Sequence, residues 1–166
     1  MRHIISILME NEAGALSRVA GLFSARGYNI ESLCVAPTHD DSLSRLTLVT
    51  SGDEFVIEQI VKQLNKLIDV VKVQDMADTA HIERELMLVK LQAFDAMRDE
   101  IYRLADIFRG QIVDVTESSY TVQLVGPGRK LDAFIDALGS TSVVEIVRSG
   151  ALGISRGPRG MLVPEV

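Results

Sequence analysis

The stretch "ENEAGAL", residues 10–16, sets an asparagine and a glycine at the start of a helical pattern, and Asn29 follows just past that helix's end. The first N–H groups of a helix have no internal partners and sit at its positive end, so such a start is a ready anion site. Gly14, with no side chain, lets a ligand approach that backbone; Asn11 either caps the helix or turns its amide toward the ligand. Asn29 stands where a β-branched residue would suit a strand better, and is either a turn residue after Gly27 or a second polar contact. An amide donates and accepts, which suits a zwitterion carrying both carboxylate and ammonium groups. At ~1.5 Å rise per residue the helix separates the two positions by roughly 20 Å, so one ligand meets both only where the loop of one subunit faces the strand of another.

The other reactive side chains form no constellation. His3, His39 and His81 are scattered without metal-ligand spacing, so no metal site is assigned. Asp40 and Asp41 belong to a predicted hairpin turn. The lone Cys34 rules out an internal disulfide or a cysteine-rich zinc site, and with no histidine nearby in sequence it reads as a small hydrophobe. Neither a phosphate-cradling P-loop nor a GxGxxG is present. No catalytic residue is assigned.

The elements that must position Gly14 and Asn29 can be read from hydrophobic periodicity. "HIISILM" is a short run, apolar on both faces, and predicts a strand covered on both sides. Leu16, Val19, Ala20 and Phe23 recur at helical spacing before Gly27, predicting a helix over about 13–26. "NIESLCVAPT" and "LSRLTLVTS" predict a hairpin around "HDDS". "DEFVIEQIVKQLNKL" predicts a second helix with Ile57, Ile60, Val61, Leu64 and Leu67 on one stripe and acidic residues at its start; "DVVKVQDM" supplies a fourth strand.

Strand, helix, strand, strand, helix, strand is the ferredoxin-like βαββαβ pattern. It closes near Met76, and "ADTAHIE" opens a linker. The pattern then repeats through "RELMLVKLQA", a helix bearing Met97, Ile101, Leu104, Ala105 and Phe108, "GQIVDVT", "YTVQLVG", "RKLDAFIDAL" and "SVVEIVRS". The fold class is therefore α+β, with two ferredoxin-like domains in tandem: residues 1–76, a linker at 77–82, and residues 83–166. Aligning Arg26-Gly27 with Arg109-Gly110 sets Asn11, Gly14 and Asn29 against Phe94, Met97 and Ile112, so the second half keeps the scaffold and lacks the site.

The 166 residues hold 17 basic and 23 acidic side chains, a net charge of −6 that divides equally between residues 1–76 and 77–166. Neither half has the basic surplus that phosphate contacts need, so no nucleic-acid partner is expected. No apolar run approaches the ~18 residues of a membrane span, and "MRHIISILMENE" meets charge too early for a signal peptide. The expected location is cytoplasmic.

Across "LMENEAGALSRVAGLFSARGYNIESLCVAPTHDDSLSRLTLVT" the chain resembles the small, regulatory subunits of acetolactate synthase (acetohydroxyacid synthase), whose N-terminal half is an ACT domain. The resemblance continues through "HIERELMLVK", "IFRGQIVDVT", "YTVQLVG", "KLDAFIDAL" and "VVEIVRSGALGISRG", nearly the whole chain; the final "PRGMLVPEV" fits no recognised pattern. It implies a non-catalytic subunit that binds and activates a catalytic subunit and confers feedback inhibition by valine in branched-chain amino acid biosynthesis. It implies no cofactor on this chain, with thiamine diphosphate, magnesium and FAD on the catalytic subunit. It also implies a homodimer with effector sites between paired ACT domains, using Asn11, Ala13, Gly14, Ala15 and Leu16 of one subunit and Asn29 and Ile30 of the other.

Two other functions use this scaffold. An acylphosphatase-type hydrolase pairs an arginine-bearing anion loop with an asparagine, but Arg26 ends a helix and nothing obvious activates water. An amino-acid-sensing transcription regulator would need a DNA-reading element for which the chain has neither room nor charge.

Overall fold

The computed structural model describes residues 1–141 and 143–161; the end of the unrecognised tail, 162–166, lies outside the described residues. Contacts divide the chain into two units, one of residues 1–82 joined by 151 onward, the other Glu83–Gly150. The second unit therefore stops short of the expected 83–166, because the chain returns to the first unit after Gly150.

In the first unit the order is β1 (Arg2–Glu10), α1 (Ala15–Ala25), β2 (Ser32–Pro37), β3 (Leu43–Ser51), α2 (Glu54–Leu64) and β4 (Val70–Asp75). The strands form one antiparallel sheet in the order β2-β3-β1-β4. β1 is buried from His3 to Met9, as a run apolar on both faces requires. Ile5, Ile7 and Met9 face α1 and α2, packing with Val19, Phe23, Ile57, Ile60 and Leu64. Asp53 caps α2 by accepting from the Val56 N–H at 2.8 Å.

The opposite face is closed by the returning chain. Ile4 and Val49 cluster with Met76 and Ala151, and β9 (Leu152–Ser155) follows. A Cβ on Gly153 would stand 2.8 Å from Met76 Sδ and 3.0 Å from Ile4, so only glycine lets this segment lie so close. Its carbonyl accepts from Arg45 Nη2 at 3.1 Å, and Arg45 Nε donates to Ser6. Arg45 on β3 is half-buried beneath this cover, which pushes its pKa down.

The second unit runs β5 (His81–Gln92), α3 (Ala96–Ile107), β6 (Gln111–Val115), β7 (Ser119–Gly126), α4 (Gly128–Ala137) and β8 (Val143–Arg148). β5 starts within the expected linker, shortening it. The strand order β6-β7-β5-β8 repeats that of the first unit. Met87, Val89, Leu91, Ile101, Leu104, Val122, Leu124, Leu131 and Phe134 form its core. Ile5, Ile7 and Met9 thus correspond to Met87, Val89 and Leu91, an offset of 82 (87 − 5). The glycine-based alignment is one residue out.

The helix ends explain that slip. After α1, Gly27 adopts the left-handed conformation (φ 69°), with its N–H on Ser24 and the Tyr28 N–H on Phe23. After α3 the same two bonds run from Arg109 to Asp106 and from Gly110 to Ala105, and Arg109 takes the left-handed position (φ 56°). The two "RG" pairs are therefore displaced by one along equivalent turns.

Candidate functional site

Gly14 is the first residue of interest because it adopts a left-handed conformation (φ 89°) immediately before α1, and no side chain caps the helix. A helix without a side-chain cap leaves first-turn N–H groups to be satisfied from outside. An L-residue here would be strained, and its Cβ would stand 2.9 Å from Arg18 Nη1. The space a side chain would fill at Gly14 is taken by the Arg18 guanidinium.

Asn11 does not cap the helix. Its N–H donates to Ser42 at 2.7 Å and its Nδ2 to the Asp41 carbonyl at 2.9 Å, so it ties the loop to the β2–β3 turn. Ala13 is exposed. Ala15 is buried in the core at 1% exposure, and its N–H bonds to Glu12, so it shapes the loop from within. Leu16 is 38% exposed and offers apolar surface beside the loop.

Asn29 lies in the connection after α1, three residues before β2 begins, and not at the opening of the strand. Its carbonyl accepts from Thr50 Oγ1 at 2.7 Å, which fixes the backbone while the residue stays exposed. Ile30 is half-buried against the first core. One chain brings Asn11, Ala13, Gly14, Ala15 and Leu16 together at the start of α1. Asn29 and Ile30 lie beyond its end, after 11 helical residues.

Sequence reading missed the charges around the loop. Arg18 grips Asp69 through Nε and, at 3.1 Å, through Nη2. Asp69 is buried, and its carbonyl accepts from the Glu10 N–H at 2.8 Å. The Arg18 hydrogen bonds hold the Asp69 carboxyl below its ordinary pKa against the opposing effect of burial. Glu10, Glu12 and Asp69 bring carboxylate oxygens within 4.8 Å of one another, with Arg18 as the cation set against them. The pair spans 51 residues, so no local pattern announces it; the available signal was an arginine one turn after a helix-start glycine.

The remaining candidates are structural where their surroundings are visible. His3 is buried and pairs with Asp75 at 2.8 Å. Asp40 accepts from the Ser42 N–H and hydroxyl, which lowers its pKa and stiffens the hairpin turn. Cys34 is a free, half-buried thiol on β2. Arg26 sits at the C-terminal end of α1, where the helix dipole disfavours an anion. In the second unit a hollow of about 380 Å³ is lined by Tyr102, Asp106, Gly110, Gln111 and Ile112, away from the predicted positions. No described helix is long and apolar enough to cross a membrane.

The tandem βαββαβ units give a ferredoxin-like architecture, and its first half is of the ACT-domain class. Residues 5–72 match the family of "AHAS small subunit-like ACT domain" and residues 84–157 match "Small subunit of acetolactate synthase". The chain is 60% identical to the acetolactate synthase isozyme 3 small subunit of Escherichia coli K12, over 97% of this chain and 99% of that one. It is also 60% identical to the acetolactate synthase small subunit of Haemophilus influenzae, over 98% and 100%. The crystal structure of the small subunit from Thermotoga maritima superposes with a TM-score of 0.87 at 38% identity, covering 96% of this chain and 99% of that one. The chain belongs to the family of acetolactate synthase small, regulatory subunits.

Proposed function

We propose that this chain binds and activates the catalytic subunit of acetolactate synthase and makes it subject to feedback inhibition by valine. The uncapped start of α1 behind left-handed Gly14 carries this reading, because it offers backbone donors to a carboxylate. Asn29 lies one helix-length away, ~16 Å for 11 residues, so a valine touching both ends is shared between two copies in a homodimer. Asn11, Ala13, Gly14, Ala15 and Leu16 come from one copy, Asn29 and Ile30 from the other.

Charged hydrogen bonds contribute ~1.5–3 kcal/mol each and burial of the isopropyl group a similar ~1.5–3 kcal/mol, before immobilisation is subtracted. A site sealed between subunits secures both contributions; an open loop secures neither fully. Valine then acts by its different affinity for two states of the dimer, a coupling of ~1–3 kcal/mol. The chemistry, with thiamine diphosphate, magnesium and FAD, belongs to the catalytic subunit. The second unit, with exposed Leu86, Leu88, Val125 and Val147 on its sheet, serves assembly and regulatory coupling.

The direct test is co-purification with a catalytic subunit, with activity measured with and without valine, beside calorimetric titration of this chain. Wild type is expected to bind valine and Gly14→Asp to lose binding. Identical titrations of the two proteins would sink the site assignment.

A further inference from the structure

Arg18 follows Gly14 by four residues, and helical side chains lean toward the N-terminus, so its guanidinium returns over the glycine. Asp69 holds it there. Nε and Nη2 form the fork to the two carboxylate oxygens, and Asp69 is itself fixed by burial and by the Glu10 N–H on its carbonyl. Nη1 takes no part in that fork and stands 2.9 Å from the position a Gly14 Cβ would occupy. A ligand reaching the open start of α1 therefore meets a guanidinium nitrogen as well as the helix backbone.

The surroundings favour a zwitterion. Glu10 and Glu12 bring two further carboxylates to the Asp69 side of the loop, suited to an ammonium group. At the offset of 82 the second unit has Ala96 for Gly14 and Glu100 for Arg18, so neither the glycine nor the charge that lies over it is repeated at the equivalent positions.

We propose that Arg18 is a specificity-determining residue of the effector site. Asp69 positions its guanidinium so that Nη1 takes one oxygen of the amino acid's carboxylate beside Gly14. The assignment rests on the reading of this loop as the effector site. Lysine cannot replace it, since one point charge cannot both satisfy Asp69 and reach the ligand.

The test is calorimetric titration of the full-length chain with valine and with valinamide, which keeps the side chain and ammonium but replaces the carboxylate by a neutral amide. Wild type is expected to prefer valine by roughly 10- to 100-fold, the range that one charge-assisted hydrogen bond supports. Arg18→Lys keeps a charge opposite Asp69 and is expected to fold with a thermal midpoint near wild type while losing most of that preference. Arg18→Gln is expected to lose it as well. An unchanged valine-to-valinamide ratio in both variants overturns the role of Arg18. Gly14→Asp, run in parallel, separates the two failures. If it alone abolishes valine binding, the site stands and Arg18 does not read the carboxylate; if none of the variants alters valine binding, the effector site itself is misplaced.

Discussion

The two units share strand order, the register around their central strands and helix-end geometry, yet treat the outer face of their sheets differently. Ile4 on β1 is 2% exposed, whereas its counterpart Leu86 on β5 is 39% exposed. Ser6 is fully buried while Leu88 remains 37% exposed. The first unit covers that face with residues from Ala151 onward; the second leaves Leu86, Leu88, Val125 and Val147 at the surface. Neither α1 nor α3 has a side-chain cap, but the residues differ at equivalent positions: glycine and Arg18 in one, alanine and Glu100 in the other. Topology supplies a frame, and local sequence decides whether a face of that frame is covered or left as exposed apolar surface.

Core truncations test this division most strongly. Phe23 packs edge-on to Tyr28 in the first unit, and Phe134 edge-on to Phe108 at 5.4 Å in the second. Phe23→Ala and Phe134→Ala are each expected to cost about 3–5 kcal/mol. Hydrogen exchange should show protection falling first in the unit that carries the substitution; equal loss in both would mean that the two cores fold as one.

The helix ends offer a finer comparison with effects of opposite sign. Gly27→Ala forces a side chain into a left-handed position and is expected to destabilise by about 1 kcal/mol. Arg109→Gly relieves that same strain at the equivalent turn and is expected to stabilise by roughly 0.5 kcal/mol, part of the gain being offset by glycine's entropy in the unfolded chain. Denaturant midpoints of the two variants, moving in opposite directions, check the equivalence.

The smallest expected effect is a pH dependence specific to the first unit. Arg18 holds the folded-state pKa of Asp69 below its ordinary value. The resulting stabilisation is present above the ordinary carboxylate pKa of ~3.9 and is lost as pH falls through the lower, folded-state value. Asp69→Asn should therefore flatten the acid limb of the first unit's thermal midpoint below about pH 4, and leave the second unit unchanged.

Much of this architecture was legible because each helix and strand carries its own period: the Ile57, Ile60, Leu64 stripe and the doubly apolar β1 needed no distant information. Gly14 stood out for the same local reason. β9 did not, being four residues with a glycine inside and no pattern of its own. The Arg18–Asp69 pair was invisible because a residue of α1 meets the turn before β4 only once the unit is folded. Asn11 could be named but its amide not aimed, since its acceptor is a carbonyl 30 residues away. The repeat was recognised with a one-residue error because Arg109 occupies the backbone conformation that glycine occupies at position 27.

The return of the chain after Gly150 also sets an order of events during synthesis. Domains are commonly completed from the N-terminus as they emerge from the ribosome, at about 5–20 residues per second. Here the first unit to emerge is the last to be finished, because Ile4, Val49 and Met76 wait for Ala151 and the strand behind it. The whole of Glu83–Gly150 must be made in the interval. A nascent chain halted before that point carries an unclosed apolar face on its first unit, so closure of that unit marks a chain in which the second has already been made.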